Sequence, residues 1–172
     1  MASLMEDLIE ILNEESKAYK ELLGLSSSKT PVIASGDLEK LSKITDEEQI
    51  AVGKIQKLEK KRISSMTDIA TVLNMDVKTL KLTELVRMLD KRPSEQKALA
   101  LARDNLKNIA DQVRVVNAQN QELLLASLDM VQFEMNILQQ STRAPETANY
   151  NKMAGTSGNY IGTSSGGFDA KQ

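Results

Sequence analysis

Apolar residues recur every three or four positions almost from the first residue. Leu4, Leu8, Ile11, Ala18, Leu22, Leu25 and Val32 form one seam, with polar Glu15 and Lys29 filling its gaps. That spacing puts side chains on one stripe of a helix and matches heptad packing. The seam runs through Pro31, so it predicts a single helix from about Leu4 to Ala34, bent where the proline removes one ladder bond. The alternative is a break at Gly24 followed by a loop holding Ser26, Ser27 and Ser28. Ser35-Gly36-Asp37 then reads as a tight turn. Gly36 suits the left-handed position that closes a helix, and Asp37 suits the cap that opens the next.

A second seam follows: Leu38, Leu41, Ile44, Ala51, Ile55, Leu58, Ile69 and Val72. It fades near Leu73-Asn74-Met75. Asp76 to Leu82 reads as a connector, and Thr83 as the cap of a short helix from Glu84 to Asp90. Pro93 and Ser94 open the longest element, since Glu95 to Gln140 holds neither Gly nor Pro. Its seam is Leu99, Ala102, Leu106, Ile109, Val113, Val116, Asn120 and Leu123. The expected fold is all-α: an antiparallel three-helix bundle, coiled-coil-like, with a short helical insert. Residues 1–142 form this bundle domain. Residues 143–172 carry five glycines, many Ser and Thr and no periodicity. Such a segment buries too little surface to offset its ordering entropy, so it reads as a flexible C-terminal tail.

At 172 residues the chain is long enough for one sizeable core. Hydrophobic residues make up 41% of it but aromatics only 3%, so that core is aliphatic. The net charge of -2 gives no support to nucleic-acid binding. The absence of Cys removes disulfides and thiolate chemistry and fits a reducing compartment. The absence of His removes the commonest general base and metal ligand. Met1 to Asp7 has neither a basic region nor a long apolar run and is not a signal peptide. No apolar stretch approaches the roughly 20 residues of a membrane span. The carboxylate pairs Glu14-Glu15 and Glu47-Glu48 are placed on polar helix surfaces, and helix neighbours do not face one another. No metal-ligand spacing, phosphate loop or nucleophile motif occurs. The expectation is a protein that binds another protein, with no catalytic residue, cofactor or metal.

Two segments invite a partner. From Val115 to Thr142 there is no Lys or Arg, and the stretch is rich in apolar residues: Leu123, Leu124, Leu125, Ala126, Leu128, Met130, Val131, Phe133, Met135, Ile137 and Leu138. At about 100° per residue, they cover roughly 220° of the helix, where a surface helix needs little more than 100°. The polar strip is narrow: Asp129, Gln132 and Asn136. A surplus apolar face is a candidate protein-binding surface, and Met130 and Met135 would let it adapt. The width equally suits a helix with two bundle neighbours, or weak self-association of the chain. In the tail, Tyr150, Tyr160 and Phe168 are three of the five aromatic residues of the protein. They fit short docking elements that order on binding, or incidental aromatics in a passive tail. Lys57, Lys60, Lys61 and Arg62 suit a solvated face more than an acidic partner. Asn117 and Asn120 lie near the seam, either fixing register from a buried position or standing exposed.

The run Asn117-Ala118-Gln119-Asn120-Gln121-Glu122-Leu123-Leu124-Leu125-Ala126-Ser127-Leu128 resembles the Asn-x-x-Asn-x-x-Leu-Leu-x-x-Ser-Leu signature of the FlgN family. Ser35-Gly36-Asp37-Leu38-Glu39-Lys40-Leu41 is similar to that family's first turn. Lys61-Arg62, the Leu-rich insert from Leu82 to Leu89, and a tail with Tyr150, Gly155 and Phe168-Asp169-Ala170-Lys171 follow in the expected order. The resemblance spans nearly the whole chain. It implies a cytoplasmic flagellar type III export chaperone that binds hook-associated proteins of the hook–filament junction, prevents premature assembly and delivers them to the export gate. It also implies that client binding lies from about Leu123 onward. The candidate client contacts are therefore Leu124, Leu128, Val131, Met135 and Leu138, with Tyr150 a candidate for gate docking beside Tyr160 and Phe168. Two other readings remain: a self-associating structural coiled coil, and an adaptor of a non-flagellar secretion system.

Overall fold

The computed structural model describes residues 2–142 of the chain. Four helices follow in order: α1 (Ala2–Ser35), α2 (Leu38–Leu73), α3 (Leu82–Met88) and α4 (Pro93–Thr142). Among the described residues there is no strand. The chain divides into two units, Met1–Val131 and Gln132–Gln172. The first holds the packed core; the second is described only through the α4 residues 132–142.

α1 is continuous through both Gly24 and Pro31. A two-residue connection reverses the chain after Ser35. Gly36 sits at φ +69° and its N–H donates to the Ile33 carbonyl at 3.2 Å. Asp37 accepts from the Lys40 backbone N–H at 3.1 Å and so caps α2. That hydrogen bond, with the Lys40 ammonium, holds the Asp37 carboxyl below its ordinary range. Because an L-residue in the left-handed region costs roughly 1–2 kcal/mol, Gly36→Ala is expected to lower the urea midpoint without changing the denaturation slope. Nothing lies within 4 Å of the added methyl, so the cost is purely conformational; an unshifted midpoint would show that the turn has another conformation open to it.

α1 and α2 pair antiparallel. Lys29 meets Glu48, Glu21 meets Lys54, and Glu15 meets Arg62. One end of the first unit is filled by Met5, Leu8 and Leu12 of α1, Met66, Ile69 and Ala70 of α2, Leu99 and Ala102 of α4, and Leu80, Leu85 and Leu89 from the insert. Further along, Ala18 and Leu22 pack with Ala51, Ile55, Leu58 and Val113. α4 therefore runs in the same direction as α1, and the fold is the expected three-helix bundle with a helical insert.

Several details differ from the sequence reading. In α1 the buried stripe includes Leu12, Ser26 and Ile33, while Ile11, Leu25 and Val32 stand half-buried one residue before them. A helix wedged between two neighbours buries the strip facing the gap between them, which displaces the stripe from the one expected for a two-helix seam. Leu38 is exposed because it lies level with the end of α1, and Val72 because it falls off the stripe that carries Met66, Ile69, Ala70 and Leu73 into the core. Thr83 lies inside α3, which starts at Leu82; the end is closed instead by Glu84, whose carboxylate accepts from the Lys81 N–H at 3.3 Å. Asn74, in the left-handed conformation at φ 53°, closes α2.

Candidate partner-binding surface

The site is built from where α4 stops being covered. Leu99, Ala102, Ile109 and Val113 are buried, Leu106 and Val116 half-buried, and Asn120 is the last buried residue of the helix among those described. Asn120 is held by two short hydrogen bonds to α1. Its Nδ2 donates to the Ser26 carbonyl at 2.7 Å, and its Oδ1 accepts from Thr30 Oγ1 at 2.6 Å. Around the same level, Ser26 Oγ donates to Glu48 at 2.8 Å and Lys29 donates to the other carboxylate oxygen at 2.7 Å. Buried polar groups need such partners, and a satisfied cluster fixes the register of the helices it joins. Asn117, by contrast, is exposed.

With Thr30 opposite Asn120, and α1 and α4 parallel, Ser35 at the end of α1 is level with about Leu125. Beyond that level the first unit offers α4 no α1 side chain. Leu124 is half-buried, and Leu128 and Val131 are exposed at 64% and 53%. Met130, Leu125 and Leu123 are exposed as well. In the second unit, every residue from 132 to 141 is exposed, including Phe133, Met135, Ile137 and Leu138. Leu123, which closes the expected bundle seam, is on the exposed side of this transition. Tyr150, Tyr160 and Phe168 lie outside the described residues.

The charge pattern changes at the same place. Every ion pair found among the described residues uses a cation at Arg114 or earlier. Glu122, Asp129 and Glu134 are exposed and form no ion pair among the described residues.

A further polar feature lay hidden in the sequence. Glu15, placed by pattern on a polar surface, is 1% exposed and accepts from Arg62 Nε at 2.9 Å. Burial raises its pKa above 4.5, against the charge and hydrogen bond of Arg62, with Glu59 adding a smaller push upward. The Tyr19 phenol is also raised, by burial first and then by Glu59 and Glu15. Arg62 is thus half-buried and turned onto Glu15 of α1, apart from a uniformly solvated basic face. Glu48 is likewise turned inward, against Ser26 and Lys29. The sequence carried no signal for either pairing beyond the presence of opposite charges.

Among the described residues no group of His, Cys, Asp and Glu could hold a metal ion. The grooves beside α1 and α4 are lined by amides, hydroxyls and lysines such as Asn13, Ser16, Lys17, Asn105 and Asn108. What stands out chemically is the apolar end of α4. The family model for FlgN protein matches residues 1–158. The chain belongs to the FlgN family. No curated protein and no solved structure matches it. The FlgN match takes in the whole of α1 to α4 and includes Tyr150, and it ends before Tyr160 and Phe168. FlgN is a chaperone family of flagellum biogenesis. No helix among the described residues is long and apolar enough to cross a membrane.

Proposed function

We propose that this protein is a cytoplasmic type III export chaperone that binds hook-associated proteins, keeps them from assembling early and delivers them to the export gate. The supporting observation is that α4 beyond Asn120 has no buried residue among those described, while Leu124, Leu128, Val131, Met135 and Leu138 repeat at heptad spacing along it. In this reading residues 1–142 act as the bundle and residues 143–172 as a docking tail.

The client presents a helix that is apolar because it packs inside the assembled structure. Laid along the seam from Leu124 to Leu138, it removes apolar surface on both partners from water. At about 25 cal/mol per Å2 this favours association, while rigid-body and side-chain ordering costs absorb much of the gain. Tyr150, Tyr160 and Phe168 add contacts to the client, with Tyr150 the residue for the gate. No bond is made or broken, so release falls to the machinery that pulls the client away. The test is the full chain with Leu128→Asp and Val131→Asp, titrated with a hook-associated protein. Anchors of this kind contribute about 2 kcal/mol or more each, so affinity is expected to fall at least about thirtyfold. Helical circular dichroism and the unfolding midpoint should hold, since both positions are exposed. Unchanged affinity would remove this surface from the client site.

A further inference from the structure

Projected down the helix axis, the apolar residues at the end of α4 form two stripes, not one broad face. Leu124, Leu128, Val131, Met135 and Leu138 make the first, assigned above to the client. Leu123, Ala126, Met130, Phe133 and Ile137 make a second, spaced three and four residues apart like the first and centred roughly 140° away. All five residues of this second stripe are exposed; Phe133 is 64% and Met130 66% exposed. Polar residues separate the stripes on both sides: Asp129, Gln132 and Asn136 on one, where Leu125 stands alone among them, and Ser127 and Glu134 on the other.

The acidic residues are not spread evenly about the helix. At about 100° per residue, Glu122 and Asp129 border the second stripe on one side and Glu134 borders it on the other, each roughly 60–80° from its centre. No Lys or Arg occurs from Val115 to Thr142 to neutralise them. In helix-to-helix docking these are the flanking positions, whose charges choose the partner. A second copy of this helix would bring carboxylates against carboxylates whether it ran parallel or antiparallel, with no cation in either strand. Like charges at flanking positions select against such a pairing.

We infer that the second stripe, Leu123-Ala126-Met130-Phe133-Ile137, is a separate helix-docking seam whose occupant is an amphipathic helix with Lys or Arg on both flanks of its apolar face. α4 then lies between two docked helices, one on each stripe. The proposal shares with the client reading only the premise that the end of α4 takes up helices.

The probes are two synthetic peptides of about three heptads. Both carry the same Leu seam; one has Lys at the flanking positions and the other Glu. Each is titrated into the full chain by fluorescence anisotropy at low and high salt. With three acidic residues facing its cations, the Lys-flanked peptide is expected to bind about tenfold more tightly at low salt, and the ratio should shrink as salt screens the charges. The preference should disappear in Met130→Ser/Phe133→Ser and persist in Leu128→Asp/Val131→Asp. Equal binding of the two peptides, or a Lys preference untouched by Met130→Ser/Phe133→Ser, overturns the second seam and leaves the client assignment standing. If neither peptide binds, the second seam is again overturned. The hook-associated protein titration above then decides separately whether the first stripe docks anything.

Discussion

Arg62→Ala should destabilise the bundle by about 3–5 kcal/mol at neutral pH, the cost of leaving a buried carboxylate without its cation. Glu15 is the partner left behind, and it has almost no exposure of its own through which water could solvate it. The pair is not thereby a net source of stability. Burial already raises the Glu15 pKa despite Arg62, which means that desolvation outweighs the attraction between them. Replacing both residues by Met should therefore come out neutral or more stable than the parent, as buried ion pairs exchanged for apolar residues often do. The pH dependence carries a definite sign. A raised carboxyl pKa favours the folded state below the unfolded value near 4.5 and loses that contribution as pH rises through the folded value. Without Arg62 both of the influences that lower the Glu15 pKa are gone, so the folded value climbs further. The deficit of Arg62→Ala relative to the parent should be full at neutral pH and shrink as pH falls toward 4.5. Urea denaturation of the three proteins across that range is the measurement. A deficit independent of pH would mean that Arg62 acts by its packing and not by its charge.

The second large effect is a contrast between two leucines. Leu8→Ala removes a fully buried side chain, at 0% exposure, from the cluster that joins α1, α2, α4 and the insert. Such truncations cost about 2–5 kcal/mol, depending on how far the surroundings collapse. Leu128→Ala removes the same atoms from a side chain that is 64% exposed, and should move stability by no more than about 0.5 kcal/mol. Thermal or urea unfolding of both variants in the absence of any partner separates the cases. A Leu128→Ala penalty comparable to that of Leu8→Ala would show that the stripe is covered by the chain itself, and would remove it as a docking surface.

The elements of the fold were legible because local and long-range signals agree in them. Gly36 and Asp37 each suit one position of a tight turn, and the structure uses both there. The seam through Pro31 outweighed the proline because a helix loses one backbone bond there while keeping its apolar stripe. The phase of that stripe was less legible. Periodicity gives the direction of the apolar face but not the number of neighbours it meets, so Ser26 and Glu15 are buried where pattern alone expects apolar residues or gaps. Which polar residues turn inward depends on the register of α1 against α2. Glu15 finds Arg62 at a separation of 47 residues, a distance over which local spacing says nothing. Asn120 stood out by sitting on a seam, and the structure supplies its reason in Ser26 and Thr30. The uncovered end of α4 was legible as an excess of apolar residues. What the sequence could not supply was that α1 ends level with about Leu125, which is why the excess goes uncovered there.

The parallel course of α1 and α4 has a practical corollary for single-molecule work. Glu6 lies at the insert end of the first unit, 29 residues before Ser35. At about 1.5 Å per residue, that is roughly 44 Å along α1 from the level at which α4 emerges. Glu6 is exposed, and the protein has no thiol of its own. A single cysteine placed there would accept one maleimide dye or surface tether, anchoring the first unit by the end remote from that level.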